Sequence, residues 1–174
     1  ADDSVTVEEA LAYAVDTKAY GSERWVEVLR MADAKFGAEA RKNADYATGM
    51  DDVLAWDNHL DKESTGALKY YYWRKQLEED YAAEMNAVRD RIDNYLAPLG
   101  VPSQPLNFSD EELQGASDSF AKAMADLKAD LGSLDKVYGD VFRDGRGDQS
   151  WPVSGGGDGE KGMTTLRNVK YGRE

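Results

Sequence analysis

The stretch WDNHLDKESTGALKYYYW, residues 56–73, joins an acidic turn to an unusually apolar helix start. Asp57, Asp61 and Glu63 lead into Ser64, whose side chain suits a helix N-cap, and carboxylates at that end are favoured by the helix dipole. Ala67, Leu68, Tyr70, Tyr71, Tyr72 and Trp73 follow. At about 100° per residue these side chains cover nearly the whole circumference. A helix that is apolar all round is buried on all sides, so this stretch reads as a beam in a core. The helix is expected from about Thr65 to Ala97, with a break admitted near Glu78, Glu79 and Asp80. Its later stripe is Leu77, Met85, Val88, Ile92, Tyr95 and Leu99.

Helical spacing recurs on both sides of this beam. Thr6 and Glu9 have capping-box spacing, and Leu11, Ala14 and Val15 form an i, i+3, i+4 stripe, giving a first amphipathic helix over about Val7 to Lys18. After Gly21 and Ser22, the residues Trp25, Leu29, Ala32 and Phe36 mark a second helix, with Gly37 as its stop. Tyr46, Met50, Val53, Leu54 and Leu60 line a third, whose exit turn holds Asn58 and His59. Pro98, Pro102 and Pro105 make an extended connection, because each removes a donor and disfavours helix before it. Ser109 and Glu112 then repeat the capping spacing ahead of Leu113, Ala116, Phe120, Ala123, Met124, Leu127 and Leu131, and Gly132 ends that helix.

From Leu134 the helical period disappears. Val141–Phe142, Trp151–Val153 and Leu166–Tyr171 read as short strands around the loop SGGGDGEKG. The fold class is therefore mainly α: a helical region over residues 1–133, and a glycine-rich β and loop region over residues 134–174. A last strand without a partner would be an exposed edge, which suggests a unit completed elsewhere.

The 174 residues fit one domain, and four Trp with ten Tyr mark a globular composition. A net charge of −13 argues against nucleic-acid binding, which relies on Lys and Arg displacing counterions. Its simplest reading is a solvated acidic surface. No apolar run approaches the roughly 18 residues of a membrane span. The opening ADDSVTVEE has neither the basic patch nor the apolar run of a signal peptide. Without cysteine, disulfides, thiolate nucleophiles and Cys-based zinc sites are excluded together.

None of the chemistry-bearing motifs is complete. The glycines from Gly155 to Gly162 lack a P-loop ending, and Asp158 and Glu160 would repel phosphate, so a hairpin or edge loop fits better. Asp144, Asp148 and Asp158 have oxygen ligands to offer calcium, but the EF-hand spacing is absent. Arg146-Gly147-Asp148 reads as a turn. His59, the single histidine, lies between Asp57 and Asp61 without a serine elbow or HExxH motif, and reads as a turn residue. Tyr70 to Trp73 suit a core rather than a ligand platform, with hydroxyls that need partners if buried. No catalytic, cofactor-binding or metal residue is assigned.

Three stretches, in order, resemble the β-subunit of penicillin-amidase-type acylases, the group of penicillin, cephalosporin and acyl-homoserine-lactone acylases. VTVEEALAYAVDTKAYGSERWVEVLRMA is similar to the helix pair ahead of the family's signature. VLAWDNHLDKESTGALKYYYW is similar to the signature itself, L-x-x-W-D followed by S-x-G-A. YGDVFRDGRGDQSWPVSGGGDGEKGMTTLRNVKYG is similar to the stretch after it, with Tyr138 in place of the usual Trp and Phe142 where many members carry His or Asn. The resemblance implies a parent with the αββα fold of N-terminal-nucleophile hydrolases, in which a serine exposed by self-cleavage attacks an amide carbonyl and its own α-amino group serves as base. Ala1 carries no nucleophile, and the family's catalytic groups lie upstream of the matched region. The chain then reads as a helical scaffold segment, inactive alone, whose partners are the rest of the β-subunit and the α-subunit and whose aromatics face a body partly absent. The substrate, through the parent, is an N-acyl amide, no cofactor is implied, and a periplasmic or secreted parent is implied by the resemblance. Two other readings stand beside it: an independent helical interaction module, and a small hydrolase built on His59.

Overall fold

The computed structural model describes residues 4–80, 86, 88, 89, 92, 107–146, 148–156 and 163–167, with the backbone alone at Asp80. The expected continuation of the beam to Ala97 and the proline-rich connection fall largely outside them. Among the described residues are six helices and one two-stranded ribbon, so the chain is mainly α. The helices are α1 (Val7–Val15), α2 (Ser22–Ala40), α3 (Ala44–Leu54), α4 (Thr65–Asp80), α5 (Asp110–Leu131) and α6 (Tyr138–Val141). The strands are β1 (Arg143–Arg146) and β2 (Gln149–Pro152).

Helices α2, α3, α4 and α5 pack into one body. Sequence sets their ends locally. Thr6 with Glu9 and Ser109 with Glu112 form the two expected capping boxes, and Gly132 ends α5 in the left-handed region at φ 81°. Asn43 caps α3 by accepting from Asp45 and Tyr46 N–H, and Ser64 Oγ accepts from Ala67 N–H at 3.1 Å at the start of α4.

The core is centred on α4. Leu68, Tyr70 and Trp73 are fully buried. Trp73 meets Trp25 of α2 and Phe120 of α5 edge-on, and Tyr70 packs on Trp56 with ring centroids 4.9 Å apart. The Trp73 Nε1–H donates to Ser119 Oγ at 3.0 Å, and Tyr72 O–H donates to Asp130. The Arg74 guanidinium lies 3.6 Å over the Trp25 ring and donates to the Tyr70 hydroxyl. These aromatics are covered by the chain's own α2, α3 and α5, which corrects the expectation that they face an absent body. The hydroxyl partners expected on burial are present.

Four boundaries also differ from expectation. Helix α1 stops at Val15 rather than Lys18, because Asp16 Oδ1 turns back to accept from Lys18 N–H and Thr17 bonds Asp61. Helix α2 runs through Gly37 to Ala40: a Cβ at position 37 would sit 2.5 Å from the Asp33 carboxylate, which is held by Arg41. Gly37 is thus a contact glycine, not a stop. Leu60 is buried but lies in the loop after α3. Val141 ends helix α6 instead of opening a strand, and the ribbon that follows pairs Arg143 with Pro152 and Arg146 with Gln149.

Candidate functional site

The acidic loop between α3 and α4 is the junction of the molecule. Asn58 takes a left-handed conformation at φ 67°, which turns the loop toward the segment after α1. There Ala19 N–H donates to Asn58 O at 2.8 Å and Leu60 N–H donates to Thr17 O at 2.9 Å, an antiparallel bridge centred on Lys18 and His59. The other edge of the same segment binds the end of the described chain, with Tyr20 N–H on Thr164 O and Arg167 N–H on Asp16 O. Residues 16–20 are therefore bonded along both edges, by residues 58–60 on one side and residues 164–167 on the other.

The loop is also gripped from its far side. Tyr138 N–H donates to Ser64 O, Gly139 N–H to Lys62 O, and Gly155 N–H to Leu60 O. Gly66 is required because a Cβ would lie 2.6 Å from the Trp56 Cβ and 2.8 Å from Asp52 O. The Trp56 Nε1–H closes the turn by donating to His59 O at 2.7 Å. The signature residues Trp56, Ser64 and Gly66 thus fold the α3–α4 loop onto the start of the beam.

A cleft of about 470 Å³ opens beside this loop, lined by Asp52, Trp56, Asp57, Asp61, Glu63 and Ser64 among others. Its carboxylates are already engaged. Asp57 accepts from His59 N–H at 3.1 Å, Asp61 from Thr17 Oγ1–H at 2.8 Å, and Glu63 lies 3.5 Å from Lys62 Nζ. Asp52 pairs at 2.6 Å with Lys69 Nζ, a fully buried ammonium on α4 that also donates to Leu134 O. Sequence reasoning misses Lys69, although the signal for it is present: a lysine inside a helix apolar all round must be buried and must find a carboxylate.

His59 stands 3.2 Å from Thr17 Oγ1 and 4.0 Å from Asp16. Since the Thr17 proton is directed to Asp61, the hydroxyl accepts from His59 Nδ1–H. A base that activates a hydroxyl must receive its proton, so this geometry runs opposite to nucleophilic catalysis. Thr17 itself is buried. The three groups pin the loop to residues 16–20.

The glycine stretch has a similar answer at its start. Gly155 has φ 102° with Arg167 O only 2.7 Å from the place of a Cβ, and Gly156 lies so close to Met163 O that a Cβ would be 1.7 Å from it. These glycines permit backbone to pack on backbone. The remainder of the loop, residues 157–162, lies outside the described residues, as does Asp158. Asp144 lies on β1, and Asp148 lies in the turn that follows Arg146 and the strand. Among the described residues no group of three His, Cys, Asp or Glu side chains is placed to hold a metal, and no helix is long and apolar enough to cross a membrane.

The model of the penicillin amidase family matches residues 1–172. The chain belongs to the penicillin amidase family. No curated protein matches it significantly. Membership connects the junction with acylase-type hydrolases, and the family match takes in every element described above, from α1 to the pairing of residues 163–167 with residues 16–20.

Proposed function

We propose that this chain is a helical brace within an N-terminal-nucleophile acylase, a segment of the β-subunit that supports the catalytic core without supplying its nucleophile. The observation that carries the reading is the family match across residues 1–172, beside a Thr17, His59 and Asp61 cluster that, among the described residues, holds a loop in place. The complete enzyme hydrolyses an N-acyl amide through a serine acyl-enzyme, of the kind that releases acyl side chains from β-lactams or from acyl-homoserine lactones. Its partners are the remaining β-subunit polypeptide and the α-subunit, and the complete enzyme is exported.

Sequencing the whole reading frame and assaying its product test this directly. A serine following a cleavage point upstream of Ala1, and amide hydrolysis lost on changing that serine to alanine, are the expected results. A frame limited to this chain would overturn the reading. So would amide hydrolysis by this chain alone that disappears in His59→Ala.

A second reading, a helical interaction module that folds by itself, is favoured by one observation: the aromatic cluster is satisfied entirely within the chain. Cooperative unfolding of the isolated chain with its aromatics buried is expected under both readings. The reading frame separates them.

A further inference from the structure

Strand β1 contains Asp144-Gly145, and the chain has one other Asp-Gly pair, Asp158-Gly159. Such a pair is prone to close on itself, because the glycine nitrogen is one bond short of a five-membered ring through the aspartate Cα, Cβ and Cγ. A side chain on the second residue crowds that nitrogen and slows the closure, so glycine gives the most reactive pair.

The fold requires this glycine. A Cβ at position 145 would lie 2.1 Å from Gln149 O and 2.8 Å from Ser150 Cα across the ribbon. Both are backbone atoms and cannot swing aside as the end of a side chain would. The register also frees the glycine N–H. Val153 N–H donates to Phe142 O, and Gly145 pairs with Ser150. Bonded and unbonded pairs alternate in an antiparallel ribbon, so residues 142, 144 and 146 bond across it and the Gly145 N–H points away from β2. It donates instead to Asp144 Oδ1 at 2.8 Å, which folds the carboxyl group back over its own peptide bond. The ring is then assembled except for the bond between N and Cγ. Apart from half-buried Asp144, every residue of β1 and β2 is exposed. A two-stranded ribbon is marginal in water, which gives the backbone the freedom to turn its nitrogen onto Cγ.

We propose that Asp144 is a site of spontaneous isoaspartate formation in the folded chain. Gly145 N bonds to Asp144 Cγ, and the amide proton leaves with the carboxyl O–H as water, giving a succinimide. Water then adds to one ring carbonyl, and the C–N bond at that carbonyl breaks. Opening at Cγ restores aspartate. Opening at the main-chain carbonyl frees the α-carboxylate and leaves the backbone running through Cβ and Cγ, one methylene longer, which moves Arg146 out of register with Gln149. Water is the only co-reactant, so the inference stands apart from the acylase reading.

Incubating the folded chain in oxygen-18 water tests the site, since each ring opening leaves one heavy oxygen on the residue. Cleavage after Lys136 and Lys161 releases both Asp-Gly pairs in one peptide, whose fragment ions separate Asp144 from Asp158. Asp144 is expected to take up label in the folded chain within about tenfold of its rate in urea. Asp144→Glu keeps the charge but needs a six-membered ring, and is expected to remove label from position 144. Labelling in urea with none, or with a rate more than about tenfold lower, in the folded chain would overturn the proposal, because the ribbon would then protect the pair. Label that persists at position 144 in Asp144→Glu would also overturn it, since uptake would then bypass the ring.

Discussion

Helices α1 and α4 both carry apolar side chains at close helical spacing, yet every residue of α1 is exposed while α4 supplies Leu68, Tyr70 and Trp73 to the centre of the core. In sequence α1 is the cleaner amphipathic helix, since α4 is apolar on all sides and carries a lysine and an arginine among its aromatics. The difference teaches that periodicity reports which face wants a partner, not whether this chain contains the partner. Helix α4 has α3 and α5 against it and meets α2 through Trp25, whereas α1 is attached through residues 16–20 to the loop and the 163–167 segment.

The comparison predicts unequal costs of truncation, and the largest belongs to the beam. Trp73→Ala removes a fully buried ring that touches Trp25, Tyr70 and Phe120, and leaves Ser119 Oγ without its indole donor. A loss of about 3–5 kcal/mol in unfolding free energy is expected by denaturant titration. Unchanged stability would mean that α4 is not the beam.

Next comes the ion pair beneath the cleft. Asp52→Ala leaves the Lys69 ammonium buried with only Leu134 O, and because Asp52 is about a third exposed, a cost of about 1–3 kcal/mol is expected rather than that of a fully buried pair. Lys69→Met removes the charge itself and is expected to cost less than Asp52→Ala, although both break the same contact. The reverse order, measured by thermal unfolding, would show that Lys69 reaches water.

A smaller effect follows from pH. Burial, reinforced by Asp130, pushes the Tyr72 hydroxyl from its usual 10.0 up to about 12, and burial pushes Tyr46 and Tyr70 in the same direction. A raised value in the folded state means that the neutral hydroxyl is the one the fold accommodates. The stabilisation is complete below pH 10 and is lost as pH rises toward 12. With allowance for water that still reaches Tyr72, its share is about 1 kcal/mol. Tyrosinate absorbance should lag the exposed tyrosines Tyr13 and Tyr20, and unfolding midpoints should fall across this window. Tyr72→Phe is expected to flatten that fall.

The features legible in the sequence are those whose cause is local. Thr6 with Glu9, Ser109 with Glu112, and Gly132 fix helix ends through bonds within a few residues, and the stripe from Leu113 to Leu127 announces its buried face. What is not legible depends on partners far along the chain. Gly37 continues α2 because Asp33 binds Arg41, Arg41 also reaches Asp51, and Leu60 is buried from a loop because Thr17 and Gly155 hold it. The signature around Trp56, Ser64 and Gly66 is visible as a pattern. That it clamps a loop between residues 16–20 and residues 138–155 emerges only from the tertiary pairing.

The smallest expected effect lies at the other pole of the comparison. Leu11→Ala deletes an apolar side chain of the kind that costs about 2–5 kcal/mol in a core. In this chain Leu11 is 63% exposed on a helix that buries nothing, so the side chain gives up little apolar contact and alanine is the better helix former. A change within about 0.5 kcal/mol is expected by denaturant titration, with no change in the steepness of the transition. Thr6→Ala, which breaks the capping box, should likewise leave the global transition in place while lowering helical signal by the share of α1. If either substitution moved the midpoint as far as Asp52→Ala does, α1 would have to fold back onto the body. The contrast with α4 would then be one of degree, instead of one between a helix packed among the described residues and a helix that buries nothing among them.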